Sequence, residues 1–426
     1  MEIPRALSPM YDDEGDELCI ALYTPIWGEV EAGSEWADDF HAELVKIGWT
    51  PCEGVPALYR HGDAFLATIV DDFLIVDDDY SIADRTLALL RARYGEVTSE
   101  RDPTSFAGRH LSVDIESRAI TVAMEQKVIE ACRKYLPDLL DGKTPRQIGL
   151  LRGKALQEAA DAMSLPPPDK RTTRLGPEQK MFQAITGDLQ FIAKVTPAIA
   201  LPLHRCACVM SCPPPEALAV AKSILAIAWK HRKVGITYGG GGIASRPRLD
   251  GSMYATGFDL DTALPSSNFE AFADAAVGSH PVYGIVLMYM GGCILAETKK
   301  LATSFCVSTH GAEHQATSHA LERVLHAQTV LRALGVASDE PTFIGTDNVS
   351  NMRVATNVGS SSRSRHFLAR YEAIRESLRL GDIAIGHVTD RNNPSDFLTK
   401  WIAAPKLRAS LRFVTNSPLL RGDALG

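Results

Sequence analysis

The last third of the chain constrains the fold most, because its hydrophobic pattern changes period in a definite order. FEAFADAAV (269–277), VYGIVLMYM (282–290) and LATSFCVS (301–308) read as strands, and a helix follows over about 310–334. Its apolar face is Ala316, Ala320, Val324, Ala327, Leu331 and Leu334, and Gly335 is placed to close it. TFIGT (342–346) is a further strand, a helix near 364–380 ends at Gly381, and IAIGHV (383–388) is the last strand. Three strands, helix, strand, helix, strand is a mixed α/β sheet. Four carboxylates stand at telling places in this order: Asp274 inside the first strand, Glu313 at the opening of the long helix, Asp347 at the end of TFIGT, and Asp396 in a final helical turn. Acids brought face to face from four elements need a cation or hydrogen bonds to offset the cost of burial. All-oxygen ligands favour magnesium or manganese over zinc.

At 426 residues the chain exceeds one ordinary core, since single cores stop growing at roughly 250–300 residues, so several domains are expected. The hydrophobic share of 45% and charged share of 23% are those of a folded protein rather than a disordered one. No stretch reaches the apolar length of a membrane span, and the acidic start MEIPRALSPMYDDEGDE lacks a signal-peptide pattern, so an intracellular protein without a membrane partner is expected. The eight scattered cysteines fit reduced thiols, and Cys206, Cys208 and Cys212 near His204 do not have finger or knuckle spacing. The net charge of −8 argues against a protein that mainly coats nucleic acid. Between Phe269 and Trp401, however, 12 basic residues face 13 acidic ones, and setting aside the four candidate ligands leaves a surplus of three positive charges. An acidic site in a mildly basic frame suits a metal-dependent nuclease.

The N-terminal part mixes helix and strand. AFLATIV (64–70) and FLIV (73–76) flank Asp71-Asp72, a tight hairpin with two carboxylates at its tip, and Ala83, Leu87, Leu90 and Tyr94 recur at helical spacing before Gly95. The stretch from about 142 to 178, rich in Pro, Lys, Arg and Gly, reads as a linker. FQAITGDLQFIAKV and PEALAVAKSILAIAWKH follow as helices, and Gly239 to Gly242 mark a second joint.

These stretches have a family pattern. FADAAVG around Asp274, ETKKLATSFCVSTHGAEHQA through Glu313, TDNVSNM at Asp347, RSRHFLARYEAIRE (363–376) and GHVTDRNNPSDFLTK (386–400) occur in the order of one domain. The segment resembles the ribonuclease H domain of copia-type retrotransposon Pol polyproteins. The resemblance implies a ribonuclease H-like fold that cuts the RNA strand of an RNA/DNA hybrid, with two Mg2+ or Mn2+ ions about 3.5–4 Å apart held by Asp274, Glu313, Asp347 and Asp396. It also implies a mobile histidine at His387, which would assist product departure, while Arg363, Arg365, His366 and Arg370 lie at positions suited to phosphates.

The N-terminal part resembles the reverse transcriptase of the same polyproteins. IVDDFLIV puts Asp71-Asp72 in the place of the Tyr-Val-Asp-Asp hairpin, with Ile69 where tyrosine is usual. LCIALYTPIWGEVEAGSEWADDF is similar to the preceding motif, with Thr24 in place of a glycine and altered spacing to Trp36. SFAGRHLSVD (105–114) and FQAITGDLQFIAKVTPAIA (182–200) continue the match, with Thr196 where an arginine is usual. A polymerase needs a further metal-binding aspartate; MEIPRAL resembles the segment just after it, and the Asp12, Asp13, Glu14, Asp16 and Glu17 cluster reads as a solvated loop.

The expected architecture is therefore multidomain, α/β and α+β: a truncated reverse-transcriptase palm over 1–140, a linker over 141–180, a helical connection over 181–254, a ribonuclease H-like mixed-sheet domain over 255–410, and a tail over 411–426. The polymerase is expected to be inactive alone, with Asp71 and Asp72 as its metal-binding pair. The implied partners are RNA/DNA hybrid and other Pol chains. Two rival readings are a non-catalytic Pol remnant that binds without turnover, and a zinc protease through the H-x-x-E-H pattern of His310, Glu313 and His314.

Overall fold

The computed structural model describes residues 32–171, 175–240, 269–302, 309–349, 351–352 and 368–420. It divides into two compact units, at Glu100/Arg101. The fold is mixed α/β with three sheets among the described residues. No helix there is long and apolar enough to cross a membrane.

In the first unit, α1 (Ala32–Lys46) precedes an antiparallel sheet of β1 (Thr50–Pro51), β2 (Leu58–His61), β3 (Ala64–Ile69) and β4 (Asp72–Val76), and α2 (Ser81–Tyr94) follows. Phe40, Leu44, Trp49, Tyr59, Ala64, Leu66 and Leu90 form its core, and the Trp49 indole donates to Thr86 Oγ1 at 3.0 Å. The expected hairpin is present, shifted by one residue. Ile69 pairs with Asp72, so Val70 and Asp71 make the turn and Asp72 opens the second strand. Val70 takes the left-handed φ of 58° that such a two-residue turn demands, and the Trp36 indole donates to its carbonyl at 3.1 Å.

The second unit begins with β5 (Ser105–Phe106), β6 (Arg109–Asp114) and β7 (Ala119–Ala123), whose antiparallel sheet is completed by the distant β8 (Ile236–Gly239). Between them lie α3 (Glu125–Tyr135), α4 (Pro137–Leu140), α5 (Gly153–Ala162), α6 (Pro177–Ile192), α7 (Ala200–Cys208) and α8 (Ala217–His231). This corrects the expected boundaries. The stretch read as a linker over 141–180 contains α5, whose Leu156 and Ala160, with Met163, are buried in the same core as Phe182, Leu189 and Ile224. Its apolar residues recur at helical spacing, but the flanking Pro, Gly and charge hid them. Cys206 and Cys212 are buried small residues, while Cys208 is exposed, with its Sγ 3.5 Å from His204 Nε2.

The third sheet has the order β11-β10-β9-β12-β13, from β9 (Phe269–Ala276), β10 (Val282–Tyr289), β11 (Gly292–Lys300), β12 (Thr342–Thr346) and β13 (Ile383–His387). β9, β10 and β11 are antiparallel, while β12 runs parallel to both β9 and β13. This bears out the expected mixed sheet, and the strand that follows β10 is Gly292–Lys300, ahead of LATSFCVS, of which residues 303–308 lie outside the described set. Met290 at φ 47° and Gly291 at φ 90° turn the chain back at once, so the strand starts earlier than its β-branched successor suggested.

On one face, α9 (Thr309–Ala333) and α10 (Leu368–Leu380) bury Ala271, Ala273, Ala275 and Ile285; the small alanines of α9 let the helix sit close. The other face packs Phe272, Val286 and Met288 against Val195, just after α6, against Ile236 of β8 and against α11 (Ala404–Thr415). Burial on both faces explains the near-continuous apolar runs of β9 and β10. It also corrects the expected tail over 411–426, since Leu411, Phe413, Val414 and Leu420 belong to this core; residues 421–426 lie outside the described set.

Asp161 of α5 ties the helices to the third sheet. It accepts from the Arg205 guanidinium at 3.1 Å and the Trp401 indole at 3.0 Å, and its carbonyl lies 2.6 Å from His280 Nε2. Arg205 is only 8% exposed, so Asp161→Ala would leave a buried cation unpaired and is expected to cost about 2 kcal/mol, less than a fully buried pair because Asp161 is partly solvated. A urea midpoint unchanged by Asp161→Ala would contradict this.

Candidate metal centre

Side chains along β9 alternate between two buried faces, with Ala271, Ala273 and Ala275 toward α9 and Phe272 away from it, which turns Asp274 to the side opposite α9. The parallel neighbour β12 stops pairing with β9 at Thr346↔Ala273, one residue short of Asp274. Through that opening the Glu313 side chain reaches from the first turns of α9, and its Oε1 accepts from the Ala275 amide at 3.3 Å, where a strand would otherwise pair. Asp347 directly follows β12, so it emerges at the same end. Asp274, Glu313 and Asp347 each offer an oxygen, all within 4.8 Å of one another. Asp396 sits in the 3-10 turn Asp396–Leu398 and joins Asp347 and Asp390 in a second group within the same distance. The four carboxylates expected from the sequence thus meet in two groups that share Asp347.

Asp274 and Asp396 are almost fully buried and Glu313 is 4% exposed. Burial, reinforced by Asp396 and Asp347, pushes the Asp274 carboxyl up to about 7, against the opposing pull of Lys400. Burial, with Asp274 and Asp347 adding repulsion, pushes Glu313 up to about 9. Burial also raises Asp347 and Asp396. Glu313 Oε2 is buried without a hydrogen-bond partner among the described residues. Repulsion of this kind and an unsatisfied buried carboxylate oxygen are what a bound cation would relieve. The donor set is oxygen throughout, so it fits a hard divalent ion.

Several contributors were not among the expected residues. Asp390 completes the second group. The Thr399 hydroxyl donates to Asp274 Oδ2, and Lys400 Nζ lies 3.2 Å from Asp274 Oδ1 and 3.6 Å from Asp396 Oδ1. Lys406 pairs with Asp396 Oδ2 and lies 3.4 Å from Asp390 Oδ2. Asn393, fully buried, bonds the Ala273 carbonyl at 3.3 Å and pins the loop to β9. The four-residue spacing of Asp396 and Lys400 was the available signal, since it places both on one side of a helical turn.

Other expected residues lie apart. Asp71 and Asp72 are exposed on the hairpin of the first unit and enter no three-ligand group among the described residues. His387 ends β13 opposite Thr346, at the same end of the sheet as Asp347, half-buried and outside both carboxylate groups. Arg363, Arg365 and His366 lie outside the described residues, as does the Asp12–Glu17 cluster, and Arg370 is described only as a backbone position of α10. The zinc reading is corrected. His310 Nε2 meets the Tyr371 hydroxyl at 2.8 Å and the His314 ring stacks on Tyr371 at 3.5 Å, while Glu313 faces Asp274 and Asp347. No group of possible ligands among the described residues combines them.

Gly284 of β10, opposite Asp274, lets the acidic loop pass: an added Cβ would stand 2.6 Å from Leu398 Cβ and 3.0 Å from Thr399 Cγ2. Gly284→Ala is expected to cost about 1–3 kcal/mol and to weaken manganese binding, because the turn bearing Asp396 must retreat. Unchanged thermal midpoint and manganese affinity would refute that role.

No protein-family model matches the chain. The retrovirus-related Pol polyprotein from transposon RE2 of Arabidopsis thaliana is 22% identical over 395 residues, covering 91% of this chain and 24% of the relative. The chain is similar to retrotransposon Pol polyproteins. The Pol polyprotein from transposon RE1 of the same plant matches with the same identity and coverage, and the chain spans about a quarter of the length of these Pol relatives. They bear out the Pol resemblance carried by the motifs. Among solved structures, LC11-RNase H1 in complex with RNA/DNA hybrid is 13% identical, with a TM-score of 0.24, over 30% of this chain and 92% of that one. The foamy viral protease-reverse transcriptase dRH in complex with double-stranded DNA is 12% identical, with a TM-score of 0.38, over 84% of this chain and 49% of that one.

Proposed function

We propose that the chain is a Pol-derived nuclease that hydrolyses the RNA strand of RNA/DNA hybrids at the Asp274–Glu313–Asp347 cluster. The observation that carries this is the convergence of three buried or half-buried carboxylates from β9, α9 and the end of β12, with ligand oxygens within 4.8 Å. Asp274, Glu313, Asp347 and Asp396 would hold Mg2+ or Mn2+, with Asp390 beside them. Bound there, the two ions supply Lewis acidity toward the phosphodiester and toward the attacking water.

The chain's own residues have separate tasks in this reading. Thr399 and the Ala275 amide fix one oxygen each of Asp274 and Glu313, Lys400 takes the other oxygen of Asp274, and Glu313 Oε2 is left without a partner among the described residues. His387, at the same end of the sheet, would carry a proton during product departure. Arg363, Arg365, His366 and Arg370 would meet phosphates, and contacts to the 2′-hydroxyl would select RNA. Asp71 and Asp72 would serve polymerisation only with a further carboxylate beside them. Other Pol chains as partners and an intracellular place of action belong to the same reading.

The test is cleavage of a strand-labelled RNA/DNA hybrid by the full chain in Mg2+ or Mn2+, beside duplex DNA and beside Asp347→Asn. Metal-dependent cutting of the RNA strand, stopped by chelation and by the substitution, is expected. Hybrid binding without cutting would favour the non-catalytic remnant.

A further inference from the structure

The two carboxylate groups are not equivalent toward a cation. In the Asp274–Glu313–Asp347 group, one ammonium intrudes: Lys400 lies 3.2 Å from Asp274 Oδ1, and no lysine is paired with Glu313 or Asp347 among the described residues. The Asp347–Asp390–Asp396 group is filled. Lys400 stands 3.6 Å from Asp396 Oδ1, Lys406 pairs with Asp396 Oδ2, and Lys406 reaches Asp390 Oδ2 at 3.4 Å and the Asp390 carbonyl at 2.7 Å. On a side chain only 2% exposed, Asp396 Oδ2 is thus bonded by one ammonium, while Oδ1 has a second at ion-pair distance without a hydrogen bond. Lys406 is itself held by the chain, since α11 carries it and packs into the core through Leu411 and Phe413.

We infer that Lys400 and Lys406 are resident counter-cations of the Asp347–Asp390–Asp396 group, so that divalent ions enter in order: the first at Asp274–Glu313–Asp347, the second only when the lysines withdraw. This rests on the proposed metal role of the cluster and adds its sequence of occupation. The charge balance agrees. Asp274, Glu313, Asp347, Asp390 and Asp396 as carboxylates with Lys400 and Lys406 as ammoniums leave three negative charges, of which one divalent ion neutralises two. A second ion placed among the same groups with both ammoniums present would find a single negative charge left and two ammoniums beside Asp396, and in a site this buried their repulsion is poorly screened. Withdrawal is sterically open to Lys400, whose side chain is 39% exposed, more than to Lys406 at 23%. Electrostatically, the device keeps the metal-free cluster from carrying several uncompensated charges, and makes full metal loading the costlier step.

The experiment counts manganese bound to the full chain by the loss of the free ion's paramagnetic resonance signal, in wild type, Lys406→Gln, Lys400→Gln and the charge-keeping Lys406→Arg. Wild type is expected to bind one ion well and a second weakly. Lys406→Gln and Lys400→Gln should each tighten the second step by about tenfold or more, with Lys406→Arg near wild type. Without metal, Lys400→Gln should lower the thermal midpoint, because Asp274 and Asp396 lose their counter-charge. Two equal manganese steps in wild type, or a second step unmoved by both glutamine variants, would overturn the ordered loading while leaving the metal role intact. No manganese bound by wild type or by either glutamine variant would remove the metal role and the inference together. Because the two lysines are on separate elements, an unfolded Lys406→Gln still leaves Lys400→Gln to decide.

Discussion

Asp274→Asn is expected to lower hybrid cleavage by at least about a thousandfold, since metal charge stabilisation is worth several kcal/mol and each 1.36 kcal/mol is a factor of ten. The same substitution should make the metal-free chain more stable at pH 8. Asp274 is fully buried, and its ionisation is opposed by burial and by Asp396 and Asp347 more strongly than Lys400 and Thr399 favour it. Asparagine keeps the shape and removes the charge, so the folded state loses repulsion and little packing. A gain of about 1–2 kcal/mol in the presence of chelator, together with loss of kcat/KM, is the signature of a residue kept for a cation rather than for the fold. A destabilised Asp274→Asn with cleavage retained would assign Asp274 to structure alone.

The pH dependence of stability provides the second large effect. Unfolded Asp and Glu titrate near 3.9 and 4.3. In the folded chain Asp274 is raised to about 7 and Glu313 to about 9, by burial first and by neighbouring carboxylates next. Between these limits the folded state holds protons that the unfolded state has released. The stabilisation is therefore complete below about pH 4 for these two groups and is lost as pH rises through their folded values, by about 1.4 kcal/mol per pH unit for each proton held. The metal-free chain is expected to lose stability from pH 5 to 9, and added Mn2+ should flatten or reverse that trend, because metal binding favours the deprotonated carboxylates. Urea midpoints at pH 5, 7 and 9, with chelator and with Mn2+, measure both. A metal-free stability that rises over this range would contradict the repulsion within the cluster.

The long helix and the carboxylates were legible in the sequence for physical reasons. Ala316, Ala320, Val324, Ala327 and Leu331 repeat at the helical period, and Gly335 and Gly381 take the left-handed φ that ends a helix, at 69° and 77°. Asp274, Glu313 and Asp347 interrupt apolar runs at element ends, which is where a buried acid is conspicuous. What the pattern hid depends on distant partners. β11 is defined by pairing with β10 after the Met290-Gly291 turn, whereas LATSFCVS carried the stronger local strand propensity. α5 is amphipathic but only 10 residues long, between segments of turn-forming composition. Asp390 and Lys406 reach the cluster through loop geometry around Asn393 and Gly284, which no residue spacing encodes, whereas Lys400 stands four residues after Asp396.

The most direct measurement is the anomalous scattering of manganese in crystals of the full chain grown without metal and then equilibrated with Mn2+. An anomalous peak within coordination distance of Asp274, Glu313 and Asp347 is the expected result. Peaks confined to other surfaces, with Lys400 still seated between Asp274 and Asp396 at saturating manganese, would contradict the metal centre.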